Sequence, residues 1–274
     1  SPLALLRSLP GACAQGLLWG LLALGVYITY KLLDFADLTV DGSMATGGAV
    51  AVMLIRAGMN PWLALIFAFL AGMAAGFITG MLHTALGIPG ILASILTQIS
   101  LYSINLNIPI RQSALTNTAL LFHSVIFRTQ LQAKSVCLRP VSSSALYSLP
   151  FSTGILEQSR DMRSVQPAVT GRWQERREST LIFIPYLMIS NGLVGLSGGL
   201  YAQYQGAADV NMGRGAIVIG LAAVIIGDVL FGKMCAGKKI AFAYTLLSVI
   251  AGAILYYLVL SVVLWLKFPS DDLK

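Results

Sequence analysis

The sequence has few charged residues. Only 11% of its 274 residues are Asp, Glu, Lys or Arg, whereas 57% are hydrophobic, and soluble domains carry about 25% charged residues. An ordinary soluble domain with so few charged residues could not keep so many apolar side chains away from water. The composition therefore predicts a membrane protein, with lipid as its first expected partner.

Cysteine and histidine are also scarce. Cys13, Cys137 and Cys235 have no regular spacing, and His83 and His123 are the only histidines. A scattered, odd number of cysteines argues against a disulfide framework or a zinc site. The sequence also lacks phosphate-binding loops, catalytic triads and nucleotide fingerprints, so we expect no enzymatic activity, no cofactor and no metal. Cytoplasmic Lys and Arg explain the net charge of +7 better than nucleic-acid binding does.

Long apolar runs dominate what the sequence does contain. A helix needs about 20 apolar residues to cross a bilayer, and several stretches reach or approach this length. They are 15–33, 62–86, 91–106, 181–204, 216–231 and 240–266, with a shorter run at 43–55. The first run is too long for a secretory signal peptide and no cleavage pattern follows it. We therefore predict an all-α fold, a polytopic transmembrane helical bundle.

A polar stretch interrupts the apolar pattern in the N-terminal half. Asp34, Asp37 and Asp41 follow the first apolar run, and Gly42 and Ser43 open the next one. We expect Asp41 or Ser43 to cap the next helix, because both side chains accept hydrogen bonds from free helix N–H groups. The pattern is typical of a broken helix inside the membrane, where non-helical backbone survives only against protein or a water-filled cavity.

The C-terminal half contains a second interruption with a related pattern. Each pattern has a Tyr-x-x-Tyr sequence, an Ala-Asp pair, a glycine and a Gly/Ala-rich apolar run. The matching positions are Tyr27, Tyr30, Asp37 and Gly42 in the first pattern and Tyr201, Tyr204, Asp209 and Gly213 in the second. Two related halves with interrupted helices would leave this signature, which indicates a transporter's central site. Coincidence among a small set of apolar residue types is the alternative.

We therefore predict that segments 34–43 and 203–213 approach each other and line a substrate path. The polar side chains expected in this path are Tyr30, Asp34, Asp37, Thr39, Asp41, Ser43, Gln203, Gln205, Asp209 and Asn211. In each segment a helix N-terminus would offer free N–H groups to a ligand carboxylate. The alternatives are that the aspartates only cap helices and that the tyrosines lie at the lipid headgroups.

Three glycines in the third apolar run predict a helix contact. Gly72, Gly76 and Gly80 recur at every fourth residue and share one helix face. This spacing of small residues lets two membrane helices approach closely. We expect His83, near the end of the same helix, to be a packed or interfacial residue rather than a ligand.

Residues 128–180 do not fit a membrane pattern. They are rich in Ser, Arg, Gln and Glu and have no helical period, and a loop this long is unusual in a compact protein. We therefore divide the chain into an N-terminal transmembrane half (1–127), an irregular basic segment (128–180) and a C-terminal transmembrane half (181–274).

Four stretches of the chain resemble one family of ABC-importer permeases. They read LDFADLTVDGS, IPGILASILTQISLYSINL, GLVGLSGGLYAQYQGAADVNMGRGAIVIGLAAVIIGDVLFG and FPSDDLK. The family is a branch of transport permeases named for tryptophan and tyrosine, distantly related to the branched-chain amino acid and ribose permeases. The resemblance covers roughly residues 12–110 and 186–274.

The resemblance implies a multi-pass protein of the bacterial inner membrane that forms a substrate path. Such a permease hydrolyses no ATP itself. It would form a homodimer or pair with a similar permease, dock two ABC ATPase subunits on its cytoplasmic face, and receive substrate from an extracytoplasmic substrate-binding protein. The family name favours a small polar solute, an amino acid and particularly an aromatic one. Closure of the ATPases would switch the path between outward and inward states.

The chain departs from the family at two places. The family continues past a PSDDLK-like motif into a final apolar helix, so we expect the C-terminal half to be truncated. In the middle, the family has another span and then a cytoplasmic coupling segment that contacts the ATPase. Codons that encode residues 137–180, when read from their third bases, permit an apolar span followed by AIRATGGNREMARAKGINT, which resembles that segment. The single codons of Met162 and Trp173 both fit, and we hypothesise a compensated pair of frameshifts.

Charge placement gives a predicted topology. With the N-terminus inside, the first four runs return the chain to the cytoplasm at Arg111. If 115–127 also crosses, the basic segment lies outside, against the positive-inside rule, and an added span from the shifted frame brings it back inside. Runs 181–204 and 214–231 then cross out and back. This order places Lys233, Lys238 and Lys239 in the cytoplasm.

Two alternatives to the importer remain open. An ion-coupled secondary transporter would use Asp37 and Asp209 as proton or cation sites, because buried acids in membranes are functional by default. A non-functional product of a frameshifted gene would have native-like helices but no working coupling segment.

Overall fold

The computed structural model describes residues 2–107, 113–114, 173–231 and 241–266. In these ranges the helices are α1 (Pro2–Tyr27), α2 (Thr39–Arg56), α3 (Pro61–Thr84), α4 (Gly90–Asn107), α5 (Trp173–Gln205), α6 (Ala216–Phe231) and α7 (Ala241–Trp265). The segments long and apolar enough to cross a membrane are Gly11–Leu32, Pro61–Thr84, Phe183–Gln205 and Tyr244–Val263. The predicted all-α transmembrane bundle is confirmed.

The first interruption is a π-helical turn followed by non-helical backbone. The turn, Ile28–Leu32, continues α1, and the N–H of Leu33 donates to the carbonyl of Ile28 at 3.2 Å. Asp34 then takes a left-handed conformation, with φ of 52°, which aspartate tolerates better than most residues. The chain is non-helical until α2 begins at Thr39.

The predicted cap of α2 is wrong. Asp41 and Ser43 both lie inside the helix, because α2 begins at Thr39 and extends over 18 residues, about 27 Å. Asp37 provides the acceptor instead: its Oδ1 accepts from the N–H of Thr39 at 2.9 Å. This bond satisfies a free N–H at the helix start, so the helix begins earlier than the apolar pattern indicated.

The second interruption joins α5 to α6. Gly206 and Gly215 both have positive φ, at 73° and 75°, so the chain turns at each end of the segment where glycine is the favoured residue. Between them, strand β2 (Ala207–Ala208) pairs antiparallel with strand β1 (Ser113–Ala114). Turns then lead to the short apolar helix α6.

The predicted glycine contact on α3 is with α5. A Cβ on Gly72 would meet the carbonyl oxygen of Asn191, and a Cβ on Gly76 would meet that of Leu187. Gly80 faces Ile184 in the same row. Because these glycines have no side chains, α3 and α5, which belong to the two halves of the chain, pack backbone to backbone.

Helix α5 runs antiparallel to α1. Ser190 Oγ donates to the carbonyl of Gly25 at 2.7 Å, and Ser197 Oγ donates to that of Leu18 at 2.8 Å. The prediction that 181–204 crosses in the same direction as the first run is therefore wrong. The predicted direction depended on how many times the chain crosses the membrane between residues 107 and 173. The sequence left this number undefined, because 115–127 is only a weak candidate span.

Helix α6 runs parallel to α1. Gly220 packs against Leu22 and Val26, and Lys31 forms an ion pair with Asp228 at 2.6 Å. The end of α1, the end of α6 and the start of α5 consequently lie at the same end of the bundle.

The core contains residues from both halves of the chain. One buried cluster comprises Trp19, Leu22, Val26, Val40, Met44, Val194, Ala216 and Tyr257. The halves 1–127 and 181–274 therefore interlock within the described residues. Helix α5 begins at Trp173, inside the segment predicted to be irregular, and 128–172 lie outside the described residues.

Candidate functional site

Five buried polar side chains form a connected hydrogen-bond network between the first interruption, α3 and α5. Asn191 Nδ2 donates to Asp37 Oδ2 at 2.6 Å, and Ser43 Oγ donates to Asn191 Oδ1 at 2.6 Å. The hydroxyls of Thr39 and Thr79 are 2.8 Å apart. Asp37 also accepts from the N–H of Thr39, which connects the two parts of the network.

The network fixes the first interruption to the second half of the chain. Asn191 uses both ends of its amide, since it donates to Asp37 and accepts from Ser43. Asp37 is only 1% exposed, and a buried carboxylate is tolerated only when its oxygens are satisfied. The structure therefore brings together the predicted path residues Asp37, Thr39 and Ser43. Asn191 connects Asp37 to Ser43.

Asp41 connects the two interrupted segments. Its carboxylate accepts from the N–H of Gly215 at 3.2 Å and from that of Ile217 at 3.0 Å, so it caps the N-terminus of α6 rather than of its own helix. A Cβ on Gly213 would overlap the carbonyl oxygen of Asp41. The two predicted segments therefore meet where Gly213 packs against the backbone of Asp41.

A pocket of about 390 Å³ adjoins this meeting point. It lies between α2, α4 and the turn that precedes α6. Its lining residues are Asp41, Gly42, Ala45, Ile95, Gln98, Ile99, Tyr102, Asn105, Val210 and Arg214. Small-molecule sites typically have volumes of about 300–1,000 Å³ with a few polar groups on apolar walls, and this pocket fits that description.

The other predicted path residues join neither the network nor the pocket. They are Tyr30, Asp34, Gln203, Gln205, Asp209 and Asn211. Asp209 is exposed, and its Oδ1 accepts from the N–H of Asn211 at 3.2 Å, as in a simple turn. Gln205 Nε2 donates to the hydroxyl of Tyr201 at 2.7 Å. Asp37 and Asp209 therefore have separate partners, with no shared cation site between them.

The pocket contains polar residues that the sequence prediction missed. Gln98, Tyr102 and Asn105 recur along α4 at helical spacing, so they share one face of the helix. This periodicity was visible in the sequence and was the available signal. Arg214 gave no comparable signal, because only the fold places the turn before α6 against α4.

His83 is a packed residue, as predicted. Its ring lies between Phe35 and Phe183, with centroids 5.7 and 5.2 Å away, and Nδ1 is 2.8 Å from the carbonyl oxygen of Ile88. Within the described ranges, no group of three or more His, Cys, Asp or Glu side chains has the arrangement of a metal site.

Comparison with known proteins identifies the family. Residues 9–136 match the family described as the permease component of branched-chain amino acid transport systems. The chain is 35% identical to a tyrosine transport system permease protein of Clostridioides difficile, over 95% of this chain and 84% of that protein. It is 32% identical to an uncharacterized protein of Rickettsia prowazekii, over 96% and 91% of the two chains.

A third relative matches over a shorter stretch. A fructose import permease protein of Bifidobacterium longum is 33% identical over 64 residues, 23% of this chain and 18% of that protein. No solved structure matches the chain.

The chain belongs to the permease family of branched-chain amino acid transport systems. It is therefore a multi-pass membrane protein and a membrane-spanning permease subunit of an ABC importer, which confirms the resemblance seen in the sequence. Membership also implies ATPase and substrate-binding partners.

Proposed function

We propose that the chain forms the solute path of an ABC importer in a bacterial inner membrane, and that its solute is an aromatic amino acid. The observation that carries this proposal is the similarity to a tyrosine transport system permease protein along most of both chains. The shorter similarity to a fructose import permease protein leaves the importer class unchanged and makes the solute the part that needs testing.

The meeting of the two interrupted segments supports a central path in this region. Asp41 bonds across to Gly215 and Ile217, so the first half of the chain directly positions the helix start in the second half. The path would be completed by a second copy of the chain or a similar permease. Two ATPase subunits would hydrolyse the ATP, and a substrate-binding protein would supply the solute.

Uptake by a reconstituted complex tests the proposal. The permease, its cognate ATPase and its binding protein are placed in liposomes with radiolabelled L-tyrosine outside. We expect uptake that requires ATP, stops with vanadate and continues with proton and sodium ionophores. Uptake without ATP that collapses with ionophores would contradict the importer and support an ion-coupled transporter. ATP-driven uptake of fructose but not of amino acids would contradict only the assigned solute.

One observation favours a second candidate, a non-functional product of a frameshifted gene. The family match ends at residue 136, directly before residues 137–180, which the shifted reading frame would explain. A compensated pair of frameshifts would leave the flanking helices intact and alter only the segment between them. Resequencing the gene tests this: the in-frame coupling segment in the new reads would support it, and an unchanged sequence would refute it.

A further inference from the structure

We propose that the pocket between α2, α4 and the turn before α6 is a binding site for one small zwitterion, an amino acid with an apolar or aromatic side chain. The proposal rests on the permease function proposed above and adds a location and recognition groups to it. Its evidence is one unsatisfied amide, two opposite charges and an apolar wall, all belonging to residues that line one cavity.

Asn105 provides the unsatisfied group. The side chain is 1% exposed and lines the pocket. Its Nδ2 donates to Thr46 Oγ1 at 3.1 Å, but its Oδ1 has no hydrogen-bond partner within the part of the chain that the structure describes. A buried acceptor without a donor destabilises a protein, so a ligand that brings an N–H donor to this oxygen would recover that loss.

Asp41 and Arg214 place opposite charges on the wall of the same pocket. No ion pair joins them, since the ion pair found among the described residues is Lys31–Asp228. Arg214 also lies just before α6, whose N-terminus contributes partial positive charge. A ligand carboxylate is therefore favoured near Arg214, and a ligand ammonium is favoured near Asp41 and Asn105 Oδ1.

The remaining wall is apolar. Ile95, Ile99 and Val210 line the cavity beside the ring of Tyr102. An aliphatic or aromatic side chain would bury apolar surface there at about 25 cal/mol per Å², whereas a sugar would leave its hydroxyl groups facing hydrocarbon. The pocket thus favours an amino acid over a sugar.

Protection of an engineered cysteine tests the site directly. The full chain carries Ile99→Cys, with Cys13, Cys137 and Cys235 changed to Ser, and is reconstituted in nanodiscs. The rate of maleimide labelling is measured with L-tyrosine, with tyramine, which lacks the carboxylate, and with 3-(4-hydroxyphenyl)propionate, which lacks the ammonium. We expect L-tyrosine to slow labelling about threefold at a concentration of about twice its Kd, and the other two to protect less.

Three variants assign the groups, with a matched control. Arg214→Gln should remove the preference for tyrosine over tyramine, and Asn105→Ala should weaken protection by tyrosine. Asn107→Ala changes the same residue type on the same helix, where the amide bonds only Ser103 O among described contacts, and should leave protection unchanged. Thr46→Val removes the bond to Asn105 but keeps its amide, so it separates ligand binding from local packing.

Several results would overturn the proposal. They are labelling that none of the three compounds slows, equal protection by tyrosine and tyramine in the parent protein, and loss of protection in Thr46→Val equal to that in Asn105→Ala. Uptake measurements distinguish failure of the proposed pocket from failure of the proposed importer function. ATP-driven uptake unaffected by Asn105→Ala and Arg214→Gln would reject the pocket while the importer stands. Absence of ATP-driven uptake both in the parent complex and after the shifted reading frame is restored would reject the importer itself.

Discussion

Asp37 carries a carboxylate that is buried without a cation. Its two oxygens accept from the N–H of Thr39 and from the amide of Asn191, and no Lys or Arg among the described residues pairs with it. Neutral donors alone therefore satisfy the carboxyl oxygens, and the orientation of the Asn191 amide is decisive, because its nitrogen must face Asp37 while its oxygen faces Ser43.

Replacing Asp37 by Asn should destabilise the protein. The new amide turns its own N–H₂ toward Asn191 Nδ2 or loses the bond to Thr39, so one buried polar group is left without its hydrogen bond, at a cost of about 1–3 kcal/mol. Thermal unfolding in detergent measures the change. The double variant Asp37→Asn/Asn191→Asp should recover part of the stability, because it exchanges the donor and the acceptor.

Asp209→Asn is the matched control for this change. Asp209 is exposed and accepts one backbone N–H in a turn, which asparagine does equally well. A loss of stability in Asp209→Asn as large as that in Asp37→Asn would contradict our explanation. That both changes reduce transport remains a prediction from the sequence, and the structure gives a reason only for Asp37.

At the scale of single residues, the sequence indicated the acids but not their partners. Asp37 and Asp41 stood out because charge is rare in an apolar chain. Asn191 and Thr79 gave no such signal, and only the fold determines that Asn191 faces Asp37 and that Thr79 faces Thr39. The sequence predicted that Asp41 caps a helix, but it caps α6 rather than its own helix. The N–H group of Gly215, from which Asp41 accepts, lies 174 residues away in the sequence.

The lengths of the apolar runs predicted where the helices begin and end, whereas the small residues predicted that helices pack closely. The predicted runs 62–86 and 216–231 differ little from α3 (Pro61–Thr84) and α6 (Ala216–Phe231). The glycines of α3 predicted that a partner helix exists but not which one. The partner is α5, whose carbonyls lie against those glycines.

Gly76→Leu should disrupt the contact between α3 and α5. A side chain at this position would overlap the backbone of Leu187, and overpacking costs about 1–3 kcal/mol or more when the backbone must move. Ala74→Leu, two residues earlier on the exposed side of α3, is the control and should be tolerated. Thermal unfolding in detergent measures both, and equal destabilisation by the two changes would argue against close packing.

Asp41→Ala should loosen the start of α6. It removes the acceptor for the N–H groups of Gly215 and Ile217, and loss of a helix cap costs about 0.5–2 kcal/mol. Hydrogen exchange should accelerate in the peptide that contains 209–217 and remain unchanged in peptides from α3. Asp41→Asn keeps one acceptor oxygen and should give an intermediate rate. Unchanged exchange in Asp41→Ala would show that the cap does not support α6.

For the whole molecule, the direction of α5 decides which end faces the cytoplasm. Lys31 and Asp228 lie at the end of the bundle where α5 begins, and the sequence after α6 contains Lys233, Lys238 and Lys239. Lys and Arg concentrate on the cytoplasmic side, so we expect this end inside. The N-terminus of α1 and the end of α4 would then face outside.

Reporter fusions test this orientation. Green fluorescent protein fused after Phe231 should fluoresce, because this position is expected in the cytoplasm, and alkaline phosphatase fused there should be inactive. Alkaline phosphatase fused after Asn107 should be active, since α4 ends at the opposite end of the bundle. The reverse pattern at both positions would contradict this orientation and would conflict with the positive-inside rule at Lys233.

The last prediction concerns the coupling of the whole molecule to its ATPase. A coupling helix needs a defined surface that packs against the ATPase, whereas residues 137–172 contain Pro140, Pro150 and Pro167 and no apolar stripe at helical spacing. If the frameshift hypothesis is correct, the chain with its present residues 137–180 should fail to copurify with its cognate ATPase. Restoring the shifted reading frame should recover copurification and vanadate-sensitive uptake together, because it supplies one span and the coupling segment in a single change. Robust ATP-driven uptake by the chain as written would refute the frameshift and assign coupling to the residues that stand there now.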